Sequence, residues 1–276
     1  NSKFGIKTVI RKLLYISQRY LIPPELQKIS FVSPYATLKN IIKLQLKFKQ
    51  LVVYASDLSI DDLGLDSEKR KRLELAGSVS GFECFLDKML SKLFPKIYLE
   101  SFDDIKTKAL KYYPKRPEVI CTSTGYFALD GFKIWTADSI KNYNTKYYIG
   151  QHGGNMGISF WNQQEDHQIK SSDTFFSWGW LDSNYSSIQP MPSIKLSERC
   201  IEQNNEGHIL LVLNSLPRYF YTHTSTYIAG QYLTYVGQQG DFLETINQQV
   251  SNILKIRLDT GFDRNVKNKI PSQYYG

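Results

Sequence analysis

Between residues 117 and 180 short apolar runs alternate with a helical stretch and polar turns, and this order narrows the folds open to the chain. PEVICTS (117–123) is an apolar run between Lys-Arg-Pro and a polar turn, the pattern of a parallel strand. GFKIWTADSIKNYN (131–144) reads as a helix, TKYYIGQ (145–151) as the next strand and DTFFSWGW (173–180) as another. Strand–helix–strand alternation is the sign of an α/β fold with a parallel sheet. A further unit repeats it: EGHILLVLNS (206–215) is a strand, DFLETINQQVSNIL (241–254) a helix and KIRLD (255–259) a strand. The polar stretch 189–207, with two prolines, holds the expected boundary, giving domains 1–195 and 196–276. Two Rossmann-like domains are therefore expected. Domain 196–276 is expected to be incomplete at its C-terminus, because a three-layer sheet wants more strands than one βαβ unit ending at Leu258.

The N-terminal part has a different texture. Residues 4–20 and the first part of 36–54 carry apolar residues at helical spacing, while LVVY stays open between helix and strand. SIDDLGLDSEKRKRLELAG reads as a loop followed by a helix, and 80–93 as an amphipathic helix ended by Phe94-Pro95. Net charge is +8, and the excess sits early, with Glu25 the only acid before Asp57. Such a segment is either a solvated helical face or a surface for anionic lipid or substrate. With no RNA-recognition signature, zinc-finger spacing or arginine-rich arm, a nucleic-acid partner is not expected. Cys84, Cys121 and Cys200 are odd in number and far apart, which fits buried free thiols in a reducing compartment. No stretch is long and apolar enough to span a membrane and there is no signal peptide, so a cytoplasmic location is expected.

In open α/β sheets ligands bind beyond the carboxyl ends of the strands. CTSTGYFALDGFK, QHGGNMG, NSLPRYFYTH and DTGFDR all fall at such ends. Two sets of loops from two sheets point to a cleft between two domains. In QHGGNMG, Gly153 and Gly154 lack Cβ atoms, so the loop can take positive φ and bring its amides to an anion. His152 is either a structural turn residue or a donor to phosphate, carboxylate or sugar oxygen. His152 and His167 lack a recognised zinc spacing, so no metal is expected. Asp130 is either an N-cap or, in a cleft, a nucleophile or base. Arg218 and Arg257, near strand ends, offer bidentate recognition of carboxylate or phosphate. Trp178-Gly179-Trp180 is either a core pair or a stacking platform.

Taken together, CTSTGYFALDGFKIWTA, YYIGQHGGNMG, EDHQIKSSDTFFSWGW, ILLVLNSLPRYFYTH and LKIRLDTGFDR resemble a family of bacterial surface-carbohydrate transferases found with lipopolysaccharide and O-antigen genes. More distantly, the chain is similar to the bacterial transferases that add β-linked Kdo from its CMP-activated form. The resemblance covers roughly residues 80–262. It departs from the pattern at Asn155-Met156, where an aromatic is expected before the last glycine of the loop.

The resemblance implies a GT-B-like glycosyltransferase using a nucleotide-activated sugar, with Kdo or a related ulosonic acid favoured and a CMP-linked donor. The acceptor would be a lipid-linked surface glycan at the inner face of the cell membrane, and no further cofactor is implied. Carried over by residue, it places His152, Gly153 and Gly154 at the donor and matches Asp130 and Lys133 in the DGFK stretch. It also matches Glu165, Asp173, Trp178 and Trp180 after the loop, and Ser215, Arg218 and Arg257 in the second domain. The runner-up is a non-catalytic carbohydrate- or nucleotide-binding scaffold of a polysaccharide assembly system. A hydrolase on the same site is a third reading.

Overall fold

A computed structural model describes residues 22–23, 26–50, 58, 64–73, 80–197, 200, 202, 207–214 and 230–258. The helix expected over 4–20, LVVY, Ser215 and Arg218 lie outside these residues. The chain divides into two compact units, Asn1–Arg199 and Cys200–Gly276.

Among its described residues the first unit has five parallel strands: β1 (Ile29–Val32), β2 (Val119–Thr122), β3 (Lys146–Gly150), β4 (Thr174–Ser177) and β5 (Ile188–Pro190). They lie in sequence order, β1-β2-β3-β4-β5. The reversal of order that marks a doubly wound crevice is therefore not among these strands. Around them run α1 (Leu38–Lys47), α2 (Ser67–Lys71), α3 (Gly81–Leu93), α4 (Phe102–Tyr112), α5 (Gly125–Ala128), α6 (Asp130–Tyr143) and α7 (Gln163–Ser171). This is the parallel α/β arrangement that the alternation over 117–180 predicts.

Burial alternates along the strands. Val32, Ile120, Tyr147, Ile149 and Phe175 are buried, and their strand neighbours are half-buried or exposed. One face of the sheet thus carries the main core, where Ala109 from α4, Tyr113 just past its end, and Phe132 and Trp135 from α6 pack. Tyr113 stacks on Trp135 at 4.7 Å, and the indole N–H donates to the Pro114 carbonyl, so the largest buried ring leaves no donor unpaired. α6 ends at Asn144 in the left-handed conformation, which turns the chain directly into β3.

Several elements have boundaries the periodicity does not show. β1, α7 and β5 are short or polar and carry no clear period of their own, whereas α4 has one, with Ile105 and Ala109 buried four residues apart. The WGW segment lies past the end of β4 rather than inside the strand. Cys84 and Cys121 are half-buried and Cys200 is exposed, so the expectation of three buried thiols is corrected, although none is disulfide-bonded. Among the described residues no helix is long and apolar enough to cross a membrane.

A buried ion pair ties α2 to the chain after α3. Arg70 Nε donates to Glu100 Oε1 at 2.6 Å and Arg70 Nη2 to Glu100 Oε2 at 3.0 Å. The remaining guanidinium hydrogens reach the Ser91 and Phe94 carbonyls at the end of α3. The Arg70 hydrogen bonds hold the Glu100 carboxyl at about 2, against an ordinary 4.5. A depressed carboxyl stabilises the fold above its unfolded pKa, and the stabilisation is lost as pH falls through the folded value. Wild-type stability should therefore drop between pH 4.5 and 2. Glu100→Gln should flatten that slope in acid-melting curves while lowering Tm at pH 7, and an unchanged slope would refute the assignment.

The second unit pairs β6 (Ile209–Val212) with β7 (Leu254–Arg257) in parallel, Ile209 opposite Leu254. Between them run α8 (Gln231–Thr245) and α9 (Gln248–Ile253). The single helix expected over 241–254 is two helices. The chain breaks at Asn247, whose side chain caps α9 by accepting from the Val250 amide at 2.9 Å. Leu213, Leu243, Leu254 and Ile256 form this unit's core.

Candidate functional site

The loops leaving β1, β2, β3, β4 and β5 meet at the carboxyl end of the sheet. Ser33 and Tyr35, just after β1, both have positive φ, +47° and +48°. Non-glycine residues rarely adopt this conformation, and such strain clusters at functional sites. The Ser33 carbonyl accepts from the amides of Ser123 and Thr124 beyond β2, which fastens the first two loops together.

The QHGG loop leaves β3 at Gln151, whose side chain is a clamp. Its Oε1 accepts from the Trp178 amide at 2.7 Å and from the Trp180 indole at 2.9 Å, and its Nε2 donates to the Gly153 carbonyl at 2.7 Å. One buried amide therefore holds the QHGG and WGW segments in register. Met156, where the family resemblance leads one to expect an aromatic, is 4% exposed and packs in the core. It anchors the far side of the loop, with Gln168 Nε2 at 3.8 Å from its sulfur. Gly157 follows with φ +79°, and its amide donates to Glu165 Oε2 at 2.7 Å.

Gly153 and Gly154 leave the loop free to take positive φ, but in this loop only Gly157 does so. The reason is geometric: the tight turn comes where the chain passes under the Trp180 ring. A Cβ on Gly157 would lie 2.7 Å from that ring, whereas a Cβ on Gly153 or Gly154 would meet nothing within 4 Å. The fold therefore requires Gly157 and makes no demand for the two earlier glycines.

His152 sits half-buried between two tyrosines, its ring edge-on to Tyr35 at 6.4 Å and to Tyr126 at 6.3 Å. Its Nδ1 is buried and has no hydrogen-bond partner among the described residues. Burial lowers its pKa below the ordinary 6.5, so the imidazole is neutral at neutral pH. Burial raises the Tyr126 phenol to about 12. Tyr35 stacks on Trp178 at 6.3 Å, and Lys195 Nζ lies 4.1 Å from the Tyr35 ring centre, a cation–π contact. A pocket of about 20 Å³ lies among Tyr35, Ser123, Gln151, Trp178 and Ser193, room for about one water.

The other sequence-predicted residues have separate surroundings. Asp130 Oδ1 accepts from the Tyr98 hydroxyl at 2.6 Å and from Lys133 Nζ at 2.8 Å. Burial pushes its carboxyl up, but the hydrogen bonds from Lys133 and Tyr98 outweigh this and leave its pKa below 3.8. Asp130 is the first helical residue of α6 and does not cap it, which corrects the N-cap reading. Asp173 fastens β4 to β3: its Oδ2 accepts from the Tyr147 amide at 2.9 Å and its Oδ1 from Lys146 Nζ at 2.8 Å. Trp180 packs against the core beside Phe175, while Trp178 stays at the pocket. Arg257 is exposed at the end of β7. Among the described residues no group of three or more His, Cys, Asp or Glu side chains can hold a metal.

Sequence reasoning missed Tyr35, Tyr126, Gln151 and Lys195. Tyr35 had a usable signal, since KISFVSPY is another apolar run breaking into a polar turn. Lys195 had none, because its role comes only from contact.

A family model described as LIC12162 family transferase matches residues 1–271. The match includes the N-terminal residues that the resemblance left out. Comparison with curated proteins and with solved structures gives no match.

Proposed function

The chain belongs to the LIC12162 family of transferases, and on that premise we propose that it is a glycosyltransferase acting on a nucleotide-activated sugar. The observation that carries this reading is the contrast within the QHGG loop. Gly153 and Gly154 stand in open space with no need of their own for glycine, beside a half-buried neutral histidine whose Nδ1 lacks a partner. Backbone left bare at the carboxyl end of a parallel sheet suits close approach by a phosphate or carboxylate.

In this reading the Gly153 and Gly154 amides receive the leaving phosphate, and neutral His152 beside them is the base. The acceptor hydroxyl oxygen bonds to the anomeric carbon and gives its proton to the neutral His152 ring, the bond from that carbon to the phosphate oxygen breaks, and its electron pair leaves with the nucleotide. Positive charge builds on the sugar ring in the transition state. Asp130, held ionised by Lys133 and Tyr98, is a weak base. It suits a carboxylate that faces ring charge or attacks the anomeric carbon better than one that takes a proton. Trp178 offers a stacking face, Trp180 and Glu165 support the loop, and Asp173 ties β4 to the start of β3, at the amino end of the sheet. Ser215, Arg218 and Arg257 are the proposed phosphate or carboxylate ligands of the second unit, giving a two-domain GT-B-like enzyme. A CMP-linked ulosonic acid such as Kdo is the favoured donor, and a lipid-linked surface glycan the favoured acceptor. Lys39, Lys43 and Lys47 follow one another at four-residue spacing on the exposed face of α1. This stripe supports a peripheral contact with anionic lipid at the inner membrane, where such acceptors lie.

Thermal shift with CMP, UDP and GDP tests the reading. One nucleotide should raise Tm, and Asp130→Asn should keep that shift while transfer falls by at least about 100-fold. Silence toward all three nucleotides would leave the scaffold reading, and full transfer by Asp130→Asn would remove the residue from the chemistry.

A further inference from the structure

We propose that the hollow on α7, beyond the QHGG loop, is a carbohydrate subsite for the acceptor glycan. The inference deepens the transferase reading and rests on it for the word acceptor. Trp161, Gln163, Asp166, His167, Lys170 and Ser171 line a cavity of about 360 Å³, at the lower end of small-ligand sites, roughly 300–1,000 Å³. Trp161 is 65% exposed. A flat indole at the wall of a hollow whose other lining residues are polar is the pairing that a pyranose requires: an apolar ring face stacks, and its hydroxyls find donors and acceptors around the edge.

The polar groups are preset. Lys170 Nζ donates to Asp166 Oδ2 at 2.8 Å, and the Tyr185 hydroxyl lies 3.4 Å from Asp166 Oδ1. Asp166 and Lys170 neutralise each other, which favours a sugar carrying little charge at this position. The hollow also connects to the candidate site. His167 lies 5.6 Å from the Tyr126 ring, and Tyr126 in turn meets the His152 ring. Glu165, on the same helix, holds the Gly157 amide of the QHGG loop. The hollow's own His167 is thus two aromatic contacts away from His152, through the Tyr126 ring.

A lipid surface is the competing occupant, since Ile158, Phe160 and Trp161 are all exposed. The lining decides against it. An interfacial loop presents apolar and unpaired basic groups, whereas the lysine of this hollow, Lys170, is paired with Asp166, and Gln163, His167 and Ser171 complete the lining beside Trp161.

The test is an array of bacterial surface glycans probed with wild type and with Trp161→Ala. Asp166→Asn serves as a second variant that keeps the aromatic wall. Wild type should retain at least one glycan, Trp161→Ala should weaken retention at least tenfold, and Asp166→Asn should weaken it less, with circular dichroism unchanged for both. Retention of no glycan, or equal retention by Trp161→Ala, overturns the proposal. Flotation of wild type but not Trp161→Ala with phosphatidylethanolamine–phosphatidylglycerol vesicles, without glycan retention, also overturns it and assigns the face to membrane. Glycan retention in a chain silent to CMP, UDP and GDP keeps the subsite and removes the transferase reading. A nucleotide response without glycan retention does the reverse.

Discussion

Gly157→Ala is expected to lower Tm by about 4–20 °C, while Gly153→Ala and Gly154→Ala leave it within about 1 °C of wild type. Gly157 has φ +79°, and an added Cβ would lie 2.7 Å from the Trp180 ring. The left-handed backbone costs an alanine about 1–2 kcal/mol, and displacing a packed indole about 1–3 kcal/mol more. For a chain of this size each kcal/mol moves Tm by about 2–4 °C. Trp180 cannot move without strain, because Gln151 Oε1 fixes its indole N–H and Phe175 lies beside it. At Gly153 and Gly154 the new methyl enters open space at negative φ, so the fold is indifferent. The same methyl stands where an anion is proposed to approach the backbone, so both variants should lose the nucleotide-induced thermal shift. Differential scanning fluorimetry with and without nucleotide reads both effects. An unshifted Tm for Gly157→Ala would refute the turn geometry. A full nucleotide response in both Gly153→Ala and Gly154→Ala would refute the anion site.

The contrast among these glycines also marks what could be read from residue order. The strands at Val119–Thr122, Lys146–Gly150 and Thr174–Ser177 and the helix at Asp130–Tyr143 are legible because apolar runs alternate there with a helical stretch and polar turns. The loops beyond them are legible as a site because a parallel sheet gathers its carboxyl ends. Which glycine bends the chain is not legible. That depends on where Trp180 lies, and Trp180 is 23 residues further along. Gln151 reads as an ordinary polar residue until its three hydrogen bonds to Gly153, Trp178 and Trp180 are seen. Met156 reads as a departure from the family pattern. In the fold it is a core plug, and the departure removes an aromatic from the loop without loosening it. β1 is as long as β2 and β4, but ISFV stands apart from the strand–helix alternation, and the parallel pairing to β2 defines it.

His152→Phe is expected to keep the fold and lower transfer by about 100- to 10,000-fold, the usual range for losing a positioned proton-transfer group. Phenylalanine preserves the edge-on packing against Tyr35 and Tyr126 and deletes both ring nitrogens. A structural histidine would tolerate the change, since its buried Nδ1 makes no hydrogen bond whose loss has a cost. The pH dependence supplies an independent readout. Burial lowers the His152 pKa in the folded state below 6.5, so the unfolded chain binds the proton first as pH falls. Stability from this residue is therefore fully present above pH 6.5 and is lost as pH falls toward the folded value. His152→Phe should remove that increment in melting curves. Transfer by wild type should be flat from pH 7 to 8 on this limb and fall as the imidazole charges, because the neutral ring is the form the site is built to hold. Activity that rises as pH falls would mean that the imidazolium is the working species, and His152→Phe with wild-type transfer would return the residue to a purely structural role.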